Sequence, residues 1–222
     1  MFKIDWAEFA EYCYKSGRGV RWNFEGWLGE MLFREGREWR RRFHSAKKLL
    51  LEGKRTTFLD LMCGGAYPSR NLARGRKESF FVAVDRDRKC LLYAKARIRE
   101  EQVGNVELVC CDVRYLPFKS GSVDVSFNIG GVEHLRDSCV KTFLDEVKRV
   151  TRFKFIITFT GEKFRRKLHY RLGLVHLRFL LSRSSVPKLY SKVEVEKLLN
   201  DAFKEVAVYE VGEYNIVAQA ST

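Results

Sequence analysis

The sequence predicts an α/β fold: a doubly wound, mostly parallel sheet of seven strands, preceded by a helical cap. Three observations predict it. The stretch Phe58-Leu59-Asp60-Leu61-Met62-Cys63-Gly64-Gly65-Ala66 is an apolar run carrying one carboxylate that breaks straight into a glycine pair. A second apolar run, 80–84, ends in another acid, Asp85. Further apolar runs follow at intervals long enough to hold a helix, which is how strand, turn, helix, strand units are written in a parallel sheet.

In chain order, residues 1–55 precede the first sheet motif and read as a helical cap. Trp27, Leu28, Met31 and Leu32 recur at three- and four-residue steps, with Arg37 and Arg40 to Arg42 on the following turns. A Gly17-Arg18-Gly19 turn divides the cap into two helices, and its interleaved aromatic and arginine residues suit either packing on the sheet or stacking on bases. The α/β domain then runs over 56–222. After the first two strands, 107–111 reads as strand three, 123–128 as strand four and 153–159 as strand five. Segments 206–211 and 214–219, separated by Gly212-Glu213, read as a terminal hairpin.

In open α/β sheets, ligands bind at the carboxyl ends of the strands. Gly64 and Gly65 let backbone come close to a ligand there, and Asp85, 21 residues after Gly64, is placed to accept hydrogen bonds from a ribose diol. An adenosine-containing cofactor is the expectation. The turn has only the adjacent glycine pair of a dinucleotide fingerprint, and no Gly-Lys-Ser or Gly-Lys-Thr follows it, so a pyrophosphate cradle is not legible.

At this point the residues carry a family likeness. Leu59-Asp60-Leu61-Met62-Cys63-Gly64-Gly65 resembles the first motif of class I S-adenosylmethionine-dependent methyltransferases, and Val82-Ala83-Val84-Asp85 resembles the second. Cys111-Asp112 with Leu116-Pro117-Phe118 is similar to the next segment. Ser122 to Phe127 and Val132-Glu133-His134-Leu135 resemble strand four and its loop in the branch called methyltransferase type 11. Leu189-Tyr190-Ser191 through Leu198-Leu199 and Phe203 resembles that branch's final helix. The likeness spans roughly residues 56–218 and implies a Rossmann-like sheet whose last strand runs antiparallel.

The resemblance implies S-adenosyl-L-methionine as cofactor. It places Asp60, Gly64 and Gly65 at the first turn, Asp85 on the ribose, Asp112 and Val113 at the adenine, and Asn128 behind the methionine chain. Asp60 has an alternative role within the turn, and Asp124 reads as fixing the start of strand four. A sulfonium already activates its methyl group, so the protein mainly aligns the reactants and excludes water. Where the acceptor must lose a proton, His134 is the candidate base and Glu133 its orienting or substrate-binding neighbour. The chain departs from the family motif at Met62 and Ala66, where glycines are usual, so a non-catalytic binding module of the same fold is the contrasting expectation.

Six cysteines without C-x-x-C pairing predict reduced thiols and no metal site, and no apolar stretch of membrane-spanning length or leader is legible, which reads as a soluble cytoplasmic protein. The formal net charge is +14, and residues 161–190, a basic helical insert after strand five, carry +7 of it. Lys163, Arg165, Arg166, Lys167, Arg171, Arg178 and Arg183 read either as a cationic rim for an anionic partner or as a solvated face. His169 and His176 lie seven apart on that segment without a further metal-ligand pattern. The acceptor is therefore expected to be a small molecule, which the loop sequence Asn128-Ile129-Gly130-Gly131 favours, or RNA, which the charge favours.

Overall fold

Residues 35–50, 56–166 and 188–222 are described in a computed structural model of the chain. The cap aromatics before residue 35, the Gly17-Arg18-Gly19 turn, and the basic stretch 167–187 with His169 and His176 lie outside the described residues.

The described elements are α1 (Glu35–Leu50), β1 (Thr57–Leu61), α2 (Tyr67–Arg74), β2 (Phe80–Asp85), α3 (Arg88–Glu100), β3 (Val106–Cys110), β4 (Val123–Ile129), α4 (Asp137–Val150), β5 (Thr151–Thr160), α5 (Lys192–Asn200), β6 (Glu205–Val211) and β7 (Asn215–Ser221). They build one seven-stranded sheet in the order β3-β2-β1-β4-β5-β7-β6. The strands from β3 through β5 pair in parallel, while β7 runs antiparallel to both β5 and β6. Seven strands, the terminal hairpin and the antiparallel last strand agree with the reading of the sequence.

Boundaries moved where side chains outside the apolar runs join the ladder. β5 is longer than 153–159 at both ends: Thr151 pairs with Val123 and shares a 2.6 Å hydroxyl contact with Ser126, and Thr160 pairs with Asn215. β3 begins one residue early, because Val106 pairs with Phe81. The hairpin turn takes 212–214, with Gly212 at φ +62, a conformation glycine adopts without the Cβ penalty.

Helices cover both faces. α4 and α5 bury Val140, Phe143, Leu144, Val147, Val195 and Leu199 against Leu59, Leu61, Phe155 and Ile157. On the other face α1, α2 and α3 bury Phe43, Ala46, Leu72, Leu91 and Ala94 against Phe58, Phe81, Phe127 and Val217. The alternation within β1 explains the division, since successive side chains point to opposite faces. Each fully buried Phe or Leu contributes roughly 1.5–3 kcal/mol. α5 starts at a capping box, in which Glu194 donates its amide to the Ser191 hydroxyl at 3.1 Å and accepts the Ser191 amide at 2.8 Å.

Candidate active site

The strand order reverses between β1 and β4, with β2 and β3 lying to one side and β5 to the other. This is the switch point at which open α/β sheets leave a crevice at their carboxyl edge. Three predicted residues meet there. Gly64 sits at φ +52, and its amide donates to Asp85 Oδ2 at 2.8 Å. Asp85 Oδ1 accepts the amide of Asp87 at 2.9 Å. Asn128, fully buried, donates from Nδ2 to the Leu61 carbonyl at 2.6 Å and accepts the Gly131 and Val132 amides at 3.3 and 3.2 Å. The loops after β1 and β4 are thus tied across the switch point by one side chain.

The donor set suits a ribose. Each oxygen of the half-buried Asp85 accepts one backbone amide, which leaves lone pairs on both for a vicinal diol. A Cβ at Gly64 would meet nothing within 4 Å, so the surface above the loop is open. Gly65 contributes its carbonyl inward, accepting from Arg70 Nε at 3.1 Å. Arg70 is 1% exposed and is paired with Glu101, which also meets Arg74 at 2.5 Å and Arg97 at 3.3 Å. That cluster braces α2 against α3.

Asp60 lies beneath the turn, where its Oδ2 accepts the Ser69 hydroxyl at 2.7 Å. Burial pushes its carboxyl up to about 7, against the opposing effect of Ser69 and with a further rise from the nearby Asp85 charge. Its position is that of the alternative structural role, joining β1 to the first turn of α2. Asp124 likewise fixes the start of β4, accepting the Thr57 amide at 2.9 Å and Arg152 at 3.0 Å. Asp87 caps α3 through the Lys89 amide at 2.8 Å, a role the sequence reading did not assign.

The adenine candidates follow β3. Asp112 is clasped by Arg114, whose Nη2 reaches Oδ2 at 2.6 Å and whose Nε reaches both oxygens, and this holds its carboxyl below the usual range. The Val113 side chain is in the core, so only its backbone faces the edge as a candidate contact. Burial pushes the Cys63 thiol well above its ordinary value and that of Cys111 up to about 11, so neither is a thiolate at neutral pH.

Both departures from the family motif take left-handed backbone, Met62 at φ +55 and Ala66 at φ +52. Glycine is usual at such positions because other residues cost roughly 1–2 kcal/mol there. Met62 fills the gap over Gly131: a Cβ on Gly131 would lie 2.9 Å from the Met62 Cβ and 2.8 Å from Asn128 Nδ2.

Beyond the switch point, a 3-10 turn (Val132–His134) follows β4. His134 is exposed on it, whereas Glu133 is 3% exposed. Glu133 Oε1 accepts from Arg42 Nη1 at 2.8 Å, the Thr160 amide at 2.9 Å and the Thr160 hydroxyl at 2.9 Å. Arg42 also reaches Thr160 Oγ1 at 2.5 Å and is hydrogen-bonded to Asn215. The cap helix is therefore fastened to the carboxyl edge through an arginine that the sequence reading treated as one of a basic group. A signal was present: Arg42 lies three residues after Trp39 and four before Ala46, inside the apolar stripe of α1. Trp39 makes an edge contact with Tyr67 at 5.8 Å, and its indole lies over Gly130. Lys163 of the basic segment pairs with Glu210 at 2.9 Å.

Residues 58–154 match a family model described as a methyltransferase domain. An uncharacterised chloroplastic methyltransferase of Arabidopsis thaliana is 33% identical over 86 residues, 37% of this chain. The matched part spans about a quarter of that relative, 24% of its length. Among solved structures, a SAM-dependent methyltransferase from Aquifex aeolicus superposes with a TM-score of 0.62 at 24% identity, covering 87% of this chain and 92% of that one. Magnesium protoporphyrin IX methyltransferase from Synechocystis, solved with bound SAH, superposes with a TM-score of 0.67 at 15% identity over 98% of this chain and 92% of that one. At these identities the structural likeness is one of fold.

Proposed function

We propose that the chain, whose residues 58–154 match a methyltransferase domain and whose sheet has the Rossmann-like order described above, is a class I S-adenosylmethionine-dependent methyltransferase that transfers a methyl group to a small-molecule acceptor at the carboxyl edge of β4 and β5. The observation that carries the reading is the meeting of Asp85 with the Gly64 amide at the switch point. Asp85 would hold the ribose hydroxyls, with Gly64 and Gly65 beside the methionine chain. Asp112 and the Val113 backbone would border the adenine. Asn128 keeps the two loops in register, and Asp60 joins β1 to the first turn of α2 from beneath.

The bound cofactor supplies a sulfonium methyl group already activated for attack. The chain's own work is to hold the acceptor in line and keep water out. His134, exposed on the turn after β4, would take a proton from the acceptor where one must leave. Glu133 fixes that turn against β5 through Thr160.

Calorimetric titration with S-adenosylmethionine and S-adenosylhomocysteine tests the reading, with Asp85→Ala as control. Saturable binding that is lost in the control supports it; a folded protein that binds neither overturns it. A second reading, an RNA acceptor, is favoured by the +7 charge of residues 161–190. It predicts tRNA affinity that falls steeply between 50 and about 200 mM salt. No helix among the described residues is long and apolar enough to cross a membrane, and the five described cysteines are free, which suits a reducing compartment such as the cytoplasm.

A further inference from the structure

Asp112 follows the strand next to the one that ends in Asp85. β3 lies about 4.8 Å from β2, with Cys110 opposite Asp85 and the Cys111 amide donating to the Asp85 carbonyl at 3.1 Å. Burial first, then Cys110 and the charges of Asp112 and Asp85, raises the Cys111 thiol, so both carboxylates act on this one side chain. A base joined to a ribose at Asp85 and extending over β3 would meet Asp112. Two carboxylate oxygens offer about four acceptor positions. Arg114 fills three of them: its amide and Nε reach Oδ1 at 2.9 and 3.0 Å, and its Nη2 reaches Oδ2 at 2.6 Å. Among the described residues, one position on Oδ2 is left over. The guanidinium is held in its turn, since Nη1 donates to the Cys139 sulfur of α4 at 3.5 Å and Cζ lies 5.7 Å from the centre of the Tyr115 ring. The side chains of Asp112 and Arg114 are 29% and 35% exposed, so a ligand can reach the pair.

We infer that Arg114 is a positioning residue that sets the base specificity of the cofactor site, holding Asp112 so that its remaining Oδ2 position takes the exocyclic amino group of an adenine; the inference rests on the reading of Asp112 as a border of the cofactor's base. The chemistry of the pair selects the group. An ionised carboxylate carries no proton, so it accepts from an N–H and offers nothing to a ring position without one. Arg114 keeps it ionised by its hydrogen bonds, against the effect of burial. The planar fork also fixes both oxygens at once, which a single point charge on a flexible stem does not do. A carboxylate held before the ligand arrives loses less freedom on binding, so its one hydrogen bond counts more fully toward affinity.

The test is calorimetric titration of the full chain, Arg114→Met and Arg114→Lys with two ligands, S-adenosylhomocysteine and its 6-deamino analogue, in which purine replaces adenine. Melting curves are recorded on the same samples. An ion pair this exposed adds little to stability, so both variants are expected to fold. The parent is expected to bind S-adenosylhomocysteine about tenfold or more tighter than the analogue, the difference made by one hydrogen bond to a charged group. Both variants are expected to lose most of that preference, while their affinity for the analogue, which has no amino group to offer Asp112, is unchanged. A structural role for Arg114 would lower both affinities alike, and that result overturns the inference. A parental preference kept in Arg114→Lys overturns it too, because charge without the fork would then suffice. Equal binding of the two ligands by the parent overturns the inference and leaves the cofactor reading standing. Binding of neither ligand by the folded parent overturns the cofactor reading and the inference with it.

Discussion

Asp85 Oδ2 accepts the Gly64 amide at 2.8 Å, so the acid that ends the second strand also sets the shape of the turn that ends the first. The spacing of 21 residues brings these two groups into direct contact. Their relation means that any ligand contact made by Asp85 is inseparable from the order of the loop after β1.

Asp85→Asn keeps one carboxamide oxygen in place of two acceptors. S-adenosylhomocysteine affinity is expected to fall about tenfold or more, since hydrogen bonds to charged groups contribute roughly 1.5–3 kcal/mol. Isothermal titration measures this, and an unchanged affinity would take Asp85 out of the ribose position.

Gly131 has an ordinary φ of −134, so its requirement for glycine is one of space. In Gly131→Ala the new methyl group would meet Met62 Cβ at 2.9 Å and Asn128 Nδ2 at 2.8 Å, parts of the two tied loops. A loss of about 1–3 kcal/mol in urea unfolding is expected. Combining it with Met62→Gly should recover much of that loss; a double variant no better than the single one would show that the clash is with Asn128 instead.

Arg42→Met leaves the Glu133 carboxylate buried without its cation. Breaking such a pair from one side costs about 3–5 kcal/mol. Arg42→Met with Glu133→Gln is expected to be more stable than Arg42→Met alone, as read from denaturant midpoints. Additive losses would mean that the ion pair contributes no coupling.

Asp60, at about 7 in the folded protein against an ordinary 3.8, binds its proton more tightly folded than unfolded. The stability this contributes is complete below about pH 4 and is lost as pH rises toward 7, a change on the order of 4 kcal/mol. Asp60→Asn retains an acceptor for Ser69 and does not titrate, so the difference in unfolding free energy between parent and variant should shift in the variant's favour from pH 4 to 7. A difference that stays flat across that window would show that Asp60 is ionised in the folded state.

The sheet was legible because its strands are apolar runs punctuated by glycine and acid. The nearness of Asp85 and Gly64 at one sheet edge was legible for the same reason, as both end strands there, but the hydrogen bond between them was not. What the sequence hid were contacts between distant segments. Arg42 looked like one of several surface cations, and only packing shows that it turns into the sheet edge. Glu133 stood beside His134 in the chain, yet the 3-10 turn buries one and exposes the other. Asp60 offered two roles in its turn, and the hydroxyl of Ser69, nine residues on, decided its hydrogen bonding. The left-handed backbone at Met62 and Ala66 is not signalled by either residue type, only by the glycines usual at those positions of the family motif.

The hydrogen bond from Arg42 to Asn215 joins positions 173 residues apart. During synthesis on the ribosome, the cap helix emerges long before the strand that fastens it. Closing so long a loop carries a large entropic cost until the sheet has already drawn its ends together. The Asn215 arm of the clasp is therefore among the last contacts to form, and a nascent chain lacking β7 holds its cap at the carboxyl edge through Glu133 and Thr160 alone. Completion of the final strand adds the last of the three side chains that hold Arg42 at that edge.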